Sequence, residues 1–207
     1  MMKLNKVKIV FCDIDGTLLE MGKTEITPNM RKALCSLKQN GIKICIATGR
    51  PFVTIPMFEG IVFDAILAFN GSFCVAGDQV VAKCPIPKED VKKIIENAKR
   101  MERPVSIATA EEIVANGSDK DLEDYFAIAH HRVNVSEKFE EYVEKDVFQI
   151  MLGCDLEERK YILEGTKNAK VAAWWSRAID IIPKDGGKGT AIEPVSYTHL
   201  RAHETLA

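Results

Sequence analysis

An apolar run that ends directly at two carboxylates is the feature that most constrains this chain. The run Val7–Cys12 is almost entirely apolar, and Asp13-Ile14-Asp15-Gly16-Thr17 follows it. Such a run is typical of a strand that is buried on both faces of a parallel sheet. Functional groups lie beyond the carboxyl ends of such strands, and a strand period of two places Asp13 and Asp15 on the same side. We therefore expect both carboxyl groups to converge beside a glycine turn whose amides face an anion.

A helix and a second strand follow in the order that builds a parallel sheet. Thr27-Pro28 predicts the start of a helix and Asn40-Gly41 predicts its end, before the apolar run 42–47. Strand, helix and strand with short connections form the right-handed crossover unit of a parallel sheet. Thr48-Gly49-Arg50 therefore emerges at the same edge of the sheet as Asp13. A hydroxyl group with free amides at a helix start is suited to bind phosphate.

The regular alternation ends after a third predicted strand at residues 64–69. Asn70-Gly71 is a strong hairpin signal, with Phe73–Ala76 and Gln79–Cys84 as candidate arms. Residues 85–181 then mix helical and strand patterns without crossover regularity. We interpret them as a separate α+β domain inserted into the first one.

Three local patterns in and next to the predicted inserted domain predict particular elements. Thr109-Ala110-Glu111-Glu112 has the form of a capping box, which marks a helix start. Residues 131–135 favour a short strand. Ser176-Arg177 is expected to join two antiparallel strands at 170–175 and 178–183.

Composition excludes several classes of partner. The 207 residues carry 28 Lys and Arg against 30 Asp and Glu, a net charge of -2, which is not the basic footprint of a protein that binds nucleic acid or anionic membrane. The apolar run before Asp13 is too short for a signal peptide or a membrane span. Six scattered cysteines without a Cys-x-x-Cys pair favour free thiols in a reducing compartment. We expect a cytoplasmic protein with a small-molecule partner.

A lysine among glycines follows the predicted inserted domain. Lys188 lies within Lys184–Ala191 and is predicted to open a helix. There it can place its ammonium group on a phosphate and offset the repulsion between a carboxylate nucleophile and a phosphate dianion.

Together these motifs resemble those of the haloacid dehalogenase-like (HAD) hydrolases. The apolar strand followed by Asp-x-Asp-Gly-Thr resembles the first motif of that family, Thr48 the second and Lys188 the third. The long insertion between Thr48 and Lys188 resembles the Cof-type branch, subfamily IIB. The fold class implied is α/β, a Rossmann-like parallel-sheet core with an inserted α+β cap domain. The implied enzyme is a phosphoric monoester hydrolase.

The resemblance also implies roles for individual residues. Asp13 attacks phosphorus, and Asp15 protonates the leaving oxygen and then takes a proton from water. Mg²⁺ is held by the Asp13 carboxylate and the Asp15 backbone carbonyl, while Thr48 and Lys188 hold the transferring group. The cap domain excludes water and selects the substrate. The substrate and phosphate would further be bound by Gly16, Thr17, Gly49, Arg50 and Asn70.

The chain departs from the family's pattern after Lys188. The fourth motif, a carboxylate loop that completes the magnesium site, is absent, and residues from about 195 have the form of a translated sequencing adapter. We therefore expect an impaired, truncated core. The expected division is 1–84 for the first part of the core, 85–181 for the cap, 182–194 for the return to the core and 195–207 for a non-native tail.

Two alternatives to a phosphatase stay open at this point. A sugar phosphomutase of the same fold would return the phosphoryl group to its substrate instead of to water. A non-catalytic phosphosugar-binding module would bind the same ligands without turnover. The residues that would select a substrate have no motif that identifies it, and the oligomeric state is not indicated.

Overall fold

The computed structural model describes residues 7–20, 22–173 and 175–196. In chain order these residues form β1 Ile9–Cys12, α1 Pro28–Gln39, β2 Lys43–Ala47, β3 Ala65–Ala68, β4 Phe73–Ala76, β5 Gln79–Lys83, α2 Lys88–Arg100, β6 Ser106–Ala108, β7 Ile113–Ala115, α3 Lys120–Ile128, α4 Phe139–Val143, β8 Gln149–Gly153, α5 Arg159–Ile162, β9 Ala169–Ala172, β10 Ala178–Pro183 and α6 Lys188–Pro194. They divide into two compact units. Among the described residues, the first unit is made of those up to 50, of 54–83 and of 187–196, and the second of 51–53 and 84–186.

The first unit is built on a mixed five-stranded sheet in the order β1-β2-β3-β4-β5. β1 pairs parallel with β2, and β2 pairs parallel with β3. β3, β4 and β5 then pair antiparallel. The carboxyl ends of β1, β2 and β3 therefore meet at one edge of the sheet, as the sequence predicts for Asp13 and Thr48.

The strand β2, which pairs with β1 on one side and β3 on the other, separates two apolar clusters. Ile44 and Ile46 lie in a cluster with Leu34 of α1. Cys45 and Ala47 lie in the other, with Ala191 near the start of α6. A strand that buries alternate residues on opposite faces must be apolar throughout, which explains the uninterrupted Ile44–Ala47 run.

The first strand is less buried than the sequence pattern predicts. Ile9 is buried, whereas Val10, Phe11 and Cys12 are only partly so. Within the described part of the chain β1 pairs with β2 alone and is an edge strand. The expectation of burial on both faces is therefore wrong for three of its four residues.

The helix between β1 and β2 begins and ends at its predicted signals. The Thr27 hydroxyl group accepts the Met30 N–H at 3.2 Å, and Pro28 takes the first helical position. A hydroxyl at this cap satisfies one of the N–H groups that have no partner within the helix. The chain leaves α1 through Asn40 and then Gly41, whose φ of 73° is one that glycine adopts readily.

The second unit is an α+β structure with an antiparallel sheet in the order β7-β6-β8-β10-β9. Alternate residues of this sheet, among them Ile107, Ile150 and Ile181, pack in one buried cluster with Val91 and Ile94 of α2. The β9–β10 hairpin follows the predicted order, with Ile181 opposite Val171.

Three local predictions are wrong. Asn70-Gly71 connects β3 to β4, and the predicted arms at 73–76 and 79–84 are instead joined by Gly77-Asp78. The Thr109 hydroxyl group accepts the Glu111 and Glu112 N–H groups, but the turn leads into β7 rather than into a helix. Residues 131–135 form no strand; Val135 makes a single bridge to Ala115. A short polar turn satisfies the same donors as a helix cap, so the pattern does not distinguish them.

The domain boundaries expected from the sequence stay predictions. Of the expected tail at 195–207, Val195 and Ser196 are described and buried, and 197–207 lie outside the described residues. All six cysteines are free thiols. Among the described residues, none of the helices combines the length and the apolar character that crossing a membrane requires.

Candidate active site

The two carboxylates that follow β1 flank a buried anchor. Ile14 is fully buried in the cluster beneath α1, whereas Asp13 is partly exposed and Asp15 is exposed. The Asp13 and Asp15 side chains are 41% and 48% exposed, so both are accessible to a ligand. The expected convergence of the two carboxyl groups on one side stays a prediction.

The glycine turn after Asp15 is closed by its own amides. The Gly16 N–H donates to the Leu19 carbonyl at 2.8 Å, and the Thr17 N–H donates to the Ile14 carbonyl at 3.3 Å. The Ile14 N–H donates to Asp13 Oδ1 at 2.8 Å. The expectation that the turn presents its amides to an anion is therefore not met by Gly16 and Thr17, because their N–H groups already have acceptors. Phosphate binding by Gly16 and Thr17 stays a prediction.

Lys188 reaches Asp13 from a distant part of the sequence. It is the first residue of α6, and its Nζ lies 2.7 Å from Asp13 Oδ2, across 175 positions of the chain. The side chains are 35% and 41% exposed, so solvent screens the pair but can also be replaced by a ligand. The structure thus brings the predicted nucleophile and the predicted phosphate-binding ammonium group together.

The position of Lys188 depends on a close approach between two backbones. A Cβ atom on Gly71 would lie 2.6 Å from the Ala191 Cβ and 2.7 Å from the Gly187 carbonyl oxygen. Gly71 also has a φ of 88°, in the left-handed region that favours glycine. The loop after β3 therefore accepts the start of α6 because residue 71 has no side chain.

The second predicted motif leaves β2 at the same edge of the sheet. Thr48 is almost fully buried, and its Oγ1 accepts the Arg50 N–H at 3.2 Å. Its own N–H donates to the Leu67 carbonyl at 2.9 Å. The hydroxyl group still carries a proton that it can donate, as the predicted role in holding a phosphoryl group requires.

Arg50 binds a carboxylate in this structure. Its Nε lies 2.9 Å from Asp15 Oδ2 and its Nη2 lies 2.7 Å from Asp15 Oδ1. The hydrogen bonding that Arg50 donates to Asp15 is the main cause that raises the Arg50 pKa above its ordinary value, and partial burial acts in the opposite direction. The guanidinium group of Arg50 is thus bound to Asp15 in this structure, and phosphate binding by Arg50 stays a prediction.

Asn70 packs against Gly49. The Asn70 Oδ1 would lie 3.2 Å from a Cβ atom placed on Gly49, and the Asn70 N–H donates to the Thr48 carbonyl at 2.9 Å. Phe69 and Asn70 have φ values of 49° and 54°, an uncommon conformation for residues with a side chain. Asn70 and Gly49 are thus brought to the Thr48 turn, and phosphate binding by them stays a prediction.

Sequence reasoning missed two features that organise this site, an ion pair and a left-handed backbone conformation. The ion pair between Arg50 and Asp15 joins two motifs that the sequence treats separately, and nothing in their spacing indicates it. The left-handed backbone at Phe69 is not indicated either, because phenylalanine rarely adopts it. Asn70-Gly71 is a usable signal for a turn, but that turn joins β3 to β4 and not the two strands for which the sequence predicts it.

The two oxygen donors expected for magnesium match that ion in chemical type. The Asp13 carboxylate and the Asp15 backbone carbonyl are hard oxygen donors, which Mg²⁺ prefers, and Mg²⁺ commonly keeps several water ligands. Within residues 7–20, 22–173 and 175–196 no group of three or more His, Cys, Asp or Glu side chains is arranged for a metal ion. The expected donors therefore fit the ion in type but supply part of a coordination shell.

Known proteins match this fold and this set of motifs. The family model for haloacid dehalogenase-like hydrolases matches residues 10–207. YkrA of Bacillus subtilis (strain 168), whose name assigns it provisionally to the phosphatases, is 28% identical over 191 residues, which are 91% of this chain and 73% of YkrA.

Solved structures agree with that assignment. BT1666 from Bacteroides thetaiotaomicron, a phosphatase of the HAD superfamily, superposes with a TM-score of 0.86 at 24% identity, over 98% of this chain and 76% of its own. The subclass IIB sugar phosphatase BT4131 superposes with a TM-score of 0.80 at 26% identity, over 95% of this chain and 77% of its own. The expected α/β fold class, the resemblance to subfamily IIB and the enzyme class, a phosphoric monoester hydrolase, are confirmed. The chain belongs to the haloacid dehalogenase-like hydrolase family.

Proposed function

We propose that this chain hydrolyses small phosphorylated metabolites, sugar phosphates or similar esters, through an aspartyl-phosphate intermediate and with Mg²⁺. The observation that carries the proposal is the 2.7 Å contact between Lys188 Nζ and Asp13 Oδ2. An ammonium group beside a carboxylate provides the positive charge that a phosphate dianion needs when it approaches an anionic nucleophile. The close packing of α6 against Gly71 supports the helix whose first residue is Lys188, and it therefore helps to hold the ammonium group beside Asp13.

The reaction would proceed in two displacements at phosphorus. In the first, an Asp13 oxygen bonds to phosphorus as the bond from phosphorus to the ester oxygen breaks, and Asp15 gives that oxygen its proton. In the second, a water oxygen bonds to phosphorus and the aspartyl bond breaks. Asp15 takes the proton from that water, so inorganic phosphate leaves and both carboxyl groups return to their starting states.

The other residues of the site would bind the group in transfer. The Lys188 ammonium group and the Thr48 hydroxyl group would donate to the phosphoryl oxygens. A bound Mg²⁺, held by the Asp13 carboxylate and the Asp15 backbone carbonyl, would supply screening of the phosphoryl charge. The chain's own groups hold the phosphoryl group in line with Asp13 and carry the proton.

The substrate class is supported by relatives. BT4131 is described as a sugar phosphatase, and YkrA is named among the phosphatases. The Lys188 ammonium group beside Asp13 is a charged donor that suits a single phosphate group.

The test is turnover by the purified chain with a matched pair of variants. Phosphate release from a panel of sugar phosphates is measured with Mg²⁺ and after its removal by a chelator. Asp13→Asn removes the nucleophile and is expected to reduce turnover by at least about a thousandfold. Asp78→Asn, the same change on the exposed turn after β4, should leave it unchanged.

Three results would contradict the proposal. Equal phosphate release by parent and Asp13→Asn would remove Asp13 as the nucleophile. Transfer of the phosphoryl group to a second position of the substrate, without net phosphate release, would indicate a phosphomutase. Binding of sugar phosphate without any turnover by the parent would indicate a binding module.

Acid quenching followed by mass spectrometry should find one phosphoryl group on the peptide that contains Asp13.

A further inference from the structure

We infer that Arg50 is a positioning residue, which fixes the Asp15 carboxylate in the orientation needed for proton transfer instead of binding the substrate phosphate. This inference rests on the proposed function, in which Asp15 carries the proton. Arg50 Nε and Nη2 donate to different oxygens of Asp15, at 2.9 Å and 2.7 Å. Two parallel bonds fix both the place of a carboxylate and its rotation, whereas one bond leaves the rotation free.

The guanidinium group that orients Asp15 is itself held at a third point. Its Nη1 donates to the Thr54 carbonyl at 3.4 Å. The Arg50 side chain is 24% exposed, against 48% for Asp15. The more buried partner therefore acts as the fixed support, and the carboxylate remains accessible to a substrate oxygen or to water.

The backbone of Arg50 is anchored on both of its polar atoms. Its N–H donates to Thr48 Oγ1 at 3.2 Å, and its carbonyl accepts the Phe69 N–H at 3.0 Å. The Thr48 carbonyl accepts the next N–H, that of Asn70, at 2.9 Å. The turn that carries Arg50 is thus clamped to the loop after β3 by two consecutive backbone bonds.

These two bonds depend on a strained conformation. Phe69 is fully buried and has a φ of 49°, and Asn70 follows with a φ of 54°. Left-handed backbone at a bulky residue costs free energy and persists where the surrounding structure imposes it, often at functional sites. Here the strained pair aims its two N–H groups at the carbonyl groups on either side of Gly49. These two hydrogen bonds stabilise the turn that supports Arg50, at the cost of the strain at Phe69 and Asn70.

Lysine could replace Arg50 in this role only in part. A guanidinium group presents paired donors in a rigid plane, while an ammonium group is a single charge on a flexible chain. Arg50→Lys should hold Asp15 near its place without fixing its rotation. Arg50→Gln should lose both the charge and the paired geometry.

The first experiment separates binding from chemistry. The parent, Arg50→Lys and Arg50→Gln are compared for kcat and KM with one phosphate ester, and for the Kd of inorganic phosphate. For Arg50→Gln we expect kcat to fall by about tenfold or more, with KM and the phosphate Kd within about threefold of the parent. Arg50→Lys should recover part of kcat. The exposed Arg132, changed to Lys and to Gln, is the matched control and should alter nothing.

The opposite pattern would overturn the inference. If Arg50 binds substrate phosphate, Arg50→Gln will raise KM and the phosphate Kd together by about tenfold or more, because a charge-assisted hydrogen bond to the ligand is lost. Equal kcat for parent and Arg50→Gln would also overturn it. Thermal unfolding of each variant shows whether the chain is folded.

A second measurement does not depend on turnover. The Arg50 Nε–H resonance, assigned by its loss in Arg50→Lys, is followed by proton–nitrogen NMR in the parent, in Asp15→Asn and in Asp13→Asn. We expect a slowly exchanging signal that shifts in Asp15→Asn and stays unchanged in Asp13→Asn. A signal that ignores Asp15→Asn but shifts on adding inorganic phosphate would contradict the inference. If the parent releases no phosphate, the proposed function fails and the NMR result still decides whether Arg50 holds Asp15.

Discussion

At the scale of single residues, each of the two carboxylates after β1 has one cationic partner. Lys188 binds Asp13 at 2.7 Å and Arg50 binds Asp15 through two bonds. All four side chains are between 24% and 48% exposed. Ion pairs with this exposure add little to stability, at most about 1 kcal/mol each. Their value lies in placing charge and donors, because water and a ligand can both reach them.

This argument predicts a separation between stability and binding for Lys188. Lys188→Gln should change the free energy of unfolding by less than about 1 kcal/mol. The affinity for inorganic phosphate should fall by about tenfold or more, since a hydrogen bond from a charged donor is lost. Urea unfolding and phosphate titration measure the two effects. Lys23→Gln, on an exposed loop of the same unit, is the matched control. Unchanged phosphate affinity in Lys188→Gln would remove Lys188 from the binding site.

At the scale of elements, the site depends on how α6 meets the loop after β3. The helix has seven residues, too few to be stable alone, so packing determines where it begins. Ala191 and Val195 are buried against β2 and β3, and Gly71 supports the first turn. The same loop holds the Thr48 turn through Phe69 and Asn70. One connection between strands therefore positions two of the predicted motifs.

Gly71→Ala tests this dependence. A Cβ atom would lie 2.6 Å from the Ala191 Cβ and 2.7 Å from the Gly187 carbonyl oxygen, in a backbone with a φ of 88°. We expect a loss of about 2–4 kcal/mol in the free energy of unfolding, from strain and overpacking together. Phosphate affinity should fall as well, because α6 carries Lys188.

Gly77→Ala is the matched control for that change. Gly77 has a φ of 58°, but a Cβ atom there meets nothing within 4 Å. It should lose about 1–2 kcal/mol from backbone strain alone and keep its phosphate affinity. Equal losses in the two variants would show that packing of α6 on Gly71 contributes nothing.

At the scale of the whole molecule, free thiols are distributed through both units. Cys45 and Cys74 are buried in the first unit and Cys154 in the second. Burial is the main cause that raises the pKa of Cys45 to about 12 and the pKa of Cys74 and of Cys154 to about 11. The folded chain therefore keeps these thiols protonated at pH values where the unfolded chain ionises them.

Stability should consequently fall on the alkaline side. An ordinary thiol pKa is 9.0, so the stabilisation from a protonated Cys45 is complete below that pH and is lost as the pH rises toward about 12. Urea unfolding in a reducing buffer, at pH values from about 8 to 10.5, should show this decline. In Cys45→Ala the decline above the ordinary thiol pKa should be flatter than in the parent by about 1 kcal/mol per pH unit. Parallel curves for the two proteins would refute the assignment.

The sequence by itself determined the elements whose signals are local. Thr27 and Pro28 start α1 through a hydroxyl cap and a fixed φ, and the apolar Ile44–Ala47 run is explained by burial on both faces of β2. The edge at which Asp13 and Thr48 emerge follows from strand polarity in a parallel sheet. These features depend on near neighbours in the chain, so they are visible in the order of residues.

The tertiary structure alone decided which distant groups meet and which donors are already used. Arg50 could bind a phosphate or a carboxylate. In the folded chain its carbonyl accepts the Phe69 N–H, and its guanidinium group donates to Asp15. The Gly16 N–H group could face an anion, but in the folded turn it donates to the Leu19 carbonyl. Hydrogen-bonding groups can pair with many acceptors, and sequence spacing does not rank them. Only the geometry of the folded chain selects one partner, because it decides which acceptor lies within hydrogen-bond distance of each donor.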